Sequence, residues 1–76
     1  MKLKDIEIGE IYLAYLQGKK KYSAIVKITD IRANEADYPY PIDAIIISMN
    51  DDHTELGYEV GEETIYGEKE IIKKLS

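Results

Sequence analysis

Apolar and polar residues alternate most regularly over residues 22–31. Tyr22, Ala24, Val26 and Ile28 fall on one face, and Ser23, Lys27 and Thr29 on the other. That period of two predicts a half-buried strand. Residues 11–16 repeat the pattern, with Tyr12, Ala14 and Leu16 on one face and Ile11, Leu13 and Tyr15 on the other. Residues 17–21, which contain Gly18, predict the hairpin connection between them. A third strand is predicted over 42–49, with Ile42, Ala44 and Ile46 on one face and Ile45, Ile47 and Met49 on the other. A strand apolar on both faces is expected to be covered on both. Residues 54–60 predict a fourth strand, with Leu56, Tyr58 and Val60 inward, Glu55 and Glu59 outward, and a bend at Gly57. Residues 64–66 offer a short fifth strand. Residues 3–10 predict a short turn or 3₁₀ piece that ends in a tight turn at Gly9.

The last segment, 68–75, fits a two-turn helix. Glu68 and Glu70 stand at its start and Lys73 and Lys74 at its end, as the macrodipole favours. Ile71, Ile72 and Leu75 then form one apolar stripe. A short final strand is the competing reading. As a helix, this segment is expected to lie across Ile45, Ile47 and Met49 as a lid. If it lies elsewhere, a second copy of the chain is expected to cover them.

Four or five short strands in up-and-down order, with a bend at Gly57, predict a small antiparallel barrel or strongly curved sheet. The run Ile8-Gly9-Glu10-Ile11-Tyr12, the Gly-containing hairpin after it and the long strand from Tyr22 resemble the SH3-like barrel class. The resemblance implies an SH3-like barrel; with the strands and terminal segment read above, the expected fold is mostly β, a barrel of four to five strands with a short C-terminal helix, as one domain over 1–76. It assigns no functional residue.

Composition narrows the chemistry. A chain of 76 residues has room for one small core. It contains no Cys, which excludes disulfides, thiolate metal sites and a Cys nucleophile. His53 is the single His, so one chain cannot supply two imidazoles. No apolar run approaches the ~18 residues of a membrane span. The first residues are charged rather than signal-like. A soluble cytoplasmic protein is expected, with no membrane partner. Seven Tyr and no Phe or Trp suit a thin core, since a Tyr ring can be buried with its hydroxyl in water.

Charge is segregated. Residues 1–32 carry seven Lys/Arg and four Asp/Glu, while 33–68 carry ten Asp/Glu and no Lys or Arg. Residues 69–76 add three Lys and one Glu, for a net −5. The acidic span is either a solubilising surface or a face for a basic partner.

Candidate sites follow from local clusters. The run Asn50-Asp51-Asp52-His53-Thr54-Glu55 gathers oxygens, but it lacks the Gly and closing Glu of a calcium loop and fits a polar turn. Glu55, Glu59, Glu62 and Glu63 would need burial to act as an acid–base pair. No Ser or Thr stands at a suggestive spacing from a base, and the glycines lack phosphate-loop spacing. Lys19-Lys20-Lys21-Tyr22 could hold phosphates and stack a base, or could simply end a soluble hairpin. Tyr38 and Tyr40, restrained by Pro39 and Pro41, lose little entropy on binding. Alternatively, these rings close the end of the barrel.

The expected function is a non-enzymatic protein-interaction or regulatory module without metal or cofactor. Its contact residues are Tyr38, Tyr40, Asp51, Asp52, Glu55 and Glu59. Another protein is the expected partner, and the chain itself a monomer or homodimer. The alternatives are a nucleic-acid-associated protein using Lys19, Lys20, Lys21 and Tyr22, and an acidic inhibitor that mimics DNA phosphates.

Overall fold

The computed structural model describes residues 1–32, 39–50 and 55–76. Among them lie five strands: β1 (Ile11–Tyr15), β2 (Ser23–Ile31), β3 (Ile42–Met49), β4 (Glu63–Tyr66) and β5 (Ile71–Lys74). They form one antiparallel sheet in the order β4-β3-β2-β1-β5. The alternation read from the sequence puts Tyr12, Ala14, Ala24, Val26, Ile28, Ile42, Ala44 and Ile46 on the inner face, all buried. Tyr66, Ile71, Ile6 and Leu16 complete the core.

The sheet is curled but not closed into the expected barrel. No ladder joins its edge strands β4 and β5 among the described residues. Three register slips bend it. Thr29 is the extra residue where Ile28 and Asp30 face Ala44 and Asp43. Ile47 is extra where Ile25 and Val26 face Ser48 and Ile46. Ile72 is extra where Leu13 and Ala14 face Lys73 and Ile71. A bulge adds local twist and resets the phase of its strand.

The phase reset explains why β3 is apolar on both sides. Beyond Ile47 the inward parity shifts by one, so Met49 packs against the core opposite Ala24. Only Ile45 and Ile47 remain outward, half-buried and 42% exposed respectively. The expected lid is absent, because the terminal segment pairs with β1 on the far side of β2.

That segment is also not the expected helix. Residues Glu68–Glu70 make a single 3₁₀ turn, and Ile71–Lys74 are extended. An isolated two-turn helix is marginal, whereas β1 offers a complete ladder. Past β5 the pairing continues: Ile11 N–H donates to the Ser76 carbonyl at 2.8 Å, and Leu75 N–H donates to the Ile11 carbonyl at 2.8 Å. The bulge sends Ile71 into the core and leaves Ile72 at the surface.

The expected strand over 54–60 does not form either. Its described part is a turn over 55–57 followed by a second turn at 60–61. Gly57 and Gly61 have φ of +89° and +90°, which breaks an extended run at both ends. Tyr58 packs against the core, but Val60 is 61% exposed and Leu56 is exposed as well.

The connection between β1 and β2, residues 16–22, is longer than a simple hairpin loop. It passes through a left-handed turn at Gln17 and Gly18, closed by the Lys19 N–H donating to the Leu16 carbonyl at 3.2 Å, and then a 3₁₀ turn over Lys20–Tyr22. The expected turn at Asp51 lies outside the described residues. Among the described residues no helix is long and apolar enough to cross a membrane.

These contacts predict that Ile71→Ala destabilises the chain by about 2–5 kcal/mol, the usual loss for a fully buried aliphatic side chain. Leu75→Ala, at a side chain 43% exposed, should change stability by less than about 0.5 kcal/mol. Urea denaturation followed by circular dichroism measures both. Equal losses would place the terminal segment elsewhere.

Candidate functional site

Where the curled sheet fails to close, a groove of about 810 Å³ remains. Thr64, Ile65 and Gly67 of the β4 edge line one wall, and Leu16, Gln17 and Gly18 after β1 line the other. The turn Glu68–Glu70 forms its floor, and Pro39, Tyr40 and Pro41 stand at one end.

Glu70 holds the two walls together. Its side chain is nearly buried, and both oxygens accept backbone N–H groups. Gly67 N–H donates to Oε1 at 2.8 Å, and Gln17 N–H donates to Oε2 at 2.6 Å. One carboxylate thus ties the turn after β4 to the turn after β1, where a barrel would have a ladder. Hydrogen bonds to a charged acceptor are the stronger class. Here they also hold an unfavourable backbone. Gln17 lies in the left-handed region, at φ 59° and ψ 20°, which costs a residue with a Cβ about 1–2 kcal/mol.

Gly67 is fixed by contact rather than by φ. A Cβ there would lie 2.8 Å from the Pro39 carbonyl oxygen. This close approach seats the Pro39–Pro41 end of the groove against β4. Pro41 is buried, and its carbonyl accepts the Arg32 N–H at 2.8 Å. Tyr40 between the two prolines is 46% exposed.

Two polar features lie close by. Asp43 faces outward on β3, as alternation requires, yet it is only 6% exposed, because the Arg32 guanidinium covers it with Nη2 2.9 Å from Oδ2. Its Oδ1 and the Oγ1 of Thr29, at the β2 bulge, are buried without hydrogen-bond partners among the described residues. Tyr66 is fully buried, and its hydroxyl also lacks a partner among them. Burial, then the Glu70 carboxylate and Tyr58, push the Tyr66 phenol far above the ordinary tyrosine value. It therefore stays protonated and cannot serve as a base near neutral pH.

The residues singled out from sequence separate in space. Tyr40 lines the groove. Glu55 lies exposed in the 55–57 turn, and Glu59 is exposed beside Glu62, whose Oε2 accepts the Glu59 N–H at 3.1 Å. Lys19, Lys20 and Lys21 are exposed, and Tyr22 is half-buried. The Lys19 and Lys21 ammonium groups sit 5.9 and 4.8 Å from the Tyr22 ring centre. That ring is already engaged by two cations. Tyr38, Asp51, Asp52 and His53 lie outside the described residues. Among the described residues no three carboxylate or imidazole side chains gather as a metal set.

The sequence reading missed Glu70, Gly67 and the Arg32–Asp43 pair. A Gly directly before Glu-x-Glu is a faint hint of the first two. Nothing local marks the third, whose members are eleven residues apart. The chain matches no family model, no curated protein and no solved structure.

Two substitutions probe the seam. Gln17→Gly removes the left-handed penalty and should be neutral or stabilising by up to about 1 kcal/mol. Glu70→Ala leaves two backbone donors without their acceptor and should cost about 2–3 kcal/mol. A Glu70→Ala chain as stable as the wild type would show that the carboxylate does not join the walls.

Alkaline pH probes the core beneath it. Below the ordinary tyrosine value of 10.0, Tyr66 is protonated in folded and unfolded chains alike. Above it the unfolded chain loses a proton that the folded chain keeps, so stability falls by up to about 1.4 kcal/mol per pH unit. Tyr66→Phe removes that loss and the orphaned hydroxyl. It should match or exceed wild-type stability at pH 7 and exceed it clearly at pH 11. An unchanged difference between the two pH values would refute the burial of that phenol.

Proposed function

We propose that this chain is a non-enzymatic protein-interaction module that meets another protein at the open seam of its sheet. The observation that carries the reading is Tyr40, half-exposed at the groove and backed by buried Pro41. An aromatic ring on a restrained backbone pays little entropy when it is covered, and Tyr is enriched at the centres of interfaces. The exposed Glu55, Glu59, Glu62 and Glu63 supply a one-sign field that steers a basic partner.

The nucleic-acid alternative has weaker support. Tyr22 is half-buried under Lys19 and Lys21, and the net charge of −5 repels a polyanion at long range.

Selection from a random peptide-display library against the full chain tests the proposal. Enriched peptides should perturb the amide resonances of Tyr40, Ile65 and Gly67. Tyr40→Ala should weaken them at least about tenfold, or about 1.4 kcal/mol, with the melting temperature unchanged. Peptides that instead perturb Lys19–Tyr22, or no enrichment at all, would refute this site.

A further inference from the structure

The phase of the β3–β4 ladder decides what β4 presents to the groove. Ile46 N–H donates to the Glu62 carbonyl at 3.0 Å, and Gly61 N–H donates to the Ile46 carbonyl at 2.7 Å. Ile46, Ala44 and Ile42 therefore turn their backbone groups toward β4, and Thr64 and Tyr66 bond back to β3. The backbone groups of Glu63, Ile65 and Gly67 point the other way, toward the free edge. Gly67 is already satisfied there: its N–H donates to Glu70 Oε1, and its carbonyl accepts the Glu70 N–H at 3.0 Å. Among the described residues, two N–H and two C=O groups, on Glu63 and Ile65, remain without a partner along this edge, and Ile65 lines the groove.

The opposite edge of the sheet is not equivalent. On β5 the Ile71 carbonyl accepts the Met1 amino group at 2.6 Å. Among the described residues, the groove is lined by Thr64 and Ile65 of β4 and by no residue of β5.

We infer that the groove takes an extended basic peptide segment of a partner protein, which adds as a sixth strand along the outer edge of β4. This rests on the reading of the groove as a protein-contact site. Strand addition draws affinity from main-chain hydrogen bonds and specificity from alternate side chains. Here the main-chain bonds form with Glu63 and Ile65. Glu63 on β4, and Glu59 and Glu62 before it, are all exposed along this edge; of the two cations that line the groove, Arg32 is paired with Asp43 at 2.9 Å and Lys69 lies in the turn past the far end of β4. Lysine or arginine at the alternate positions of the incoming segment meets this rim. Short edge strands with charged side chains ordinarily resist pairing. In this chain the charge selects the partner's sign, and the groove leaves room for its backbone.

The test uses the full chain and three synthetic heptapeptides. One alternates lysine and valine, one alternates glutamate and valine, and the third is the lysine peptide N-methylated at every second residue along one edge. The lysine peptide should slow amide exchange at Ile65 and Glu63 roughly tenfold, with smaller changes at Thr64 and Tyr66, and its binding should weaken as salt rises. The glutamate peptide should bind at least about tenfold more weakly, and so should the N-methylated peptide. Ile65→Pro deletes an outward N–H and should abolish the protection. If that variant misfolds, the N-methylated peptide still removes the edge bonds without altering the protein. Equal binding of the lysine and glutamate peptides, or binding without protection at Ile65, would overturn strand addition. Protection at Ile65 that appears on concentration alone, together with dimers in sedimentation, would make the occupant a second copy and also overturn it. Library peptides that need Tyr40 but never protect Ile65 would leave the contact site standing and remove only this binding mode.

Discussion

A short connection governs the shape of this molecule. Residues 67–70 are all that separate β4 from β5, the two outermost strands of the sheet. In a flat five-strand sheet those edges would lie about 19 Å apart, four spacings of roughly 4.8 Å. A connection wound as a 3₁₀ turn advances about 2 Å per residue, so it spans little more than half that distance. The sheet must therefore curl until its edges approach. The bulges at Thr29, Ile47 and Ile72 supply the curvature, one in each of three strands. The curl encloses the Tyr12, Tyr66 and Ile71 side chains that a flat sheet of this size would leave half in water.

The same constraint makes the groove. Edges drawn together but not paired leave a seam, and Glu70 crosses it with one side chain where a ladder would need several backbone bonds. A carboxylate can bridge two turns that are not parallel to each other, and it leaves the strand before it free. Had Glu63 and Ile65 been engaged across the seam, the fold would be a closed barrel with no edge on this side. Structural economy and availability for binding thus come from the same residue.

Much of the architecture could be read from the sequence, for a physical reason. In β1, β2 and the first half of β3, one solvated or half-solvated face alternates with one buried face, and period two is visible in the residue types. What escaped was phase. Adjacent apolar residues at Ile45-Ile46-Ile47 and Ile71-Ile72 suggest a strand covered on both sides and a helix stripe. Each run actually marks a bulge, where two neighbours face one partner. The false strand over 54–60 arose in the same way: alternation at Leu56, Tyr58 and Val60 is genuine, but Gly57 and Gly61 take a left-handed backbone that interrupts an extended run. Side-chain burial was hardest to anticipate. Asp43 and Glu70 look like ordinary members of charged runs, and only tertiary neighbours reveal that one is covered by Arg32 and the other by two backbone amides.

The tyrosines show where the fold gives up stability. Tyr12 and Tyr66 are both fully buried in a chain that has no Phe. Tyr12 uses its hydroxyl, which accepts the Glu7 N–H at 2.8 Å and pins the segment before β1. Tyr66 does not, since its hydroxyl meets no partner among the described residues. An unpaired buried hydroxyl costs about 1–3 kcal/mol, a large share of what a domain of this size can accumulate. Phe would fill the same space without that cost. Departures of this kind concentrate where a site, rather than the fold, sets the residue. Tyr66 stands between Ile65 and Gly67, which line the groove, and the charges that bear on its phenol are those of Glu70 and Tyr58, which line it too. The least economical side chain in the core therefore lies under the seam that Glu70 holds open, where polar satisfaction has been given up beside a strand edge that is left to bond.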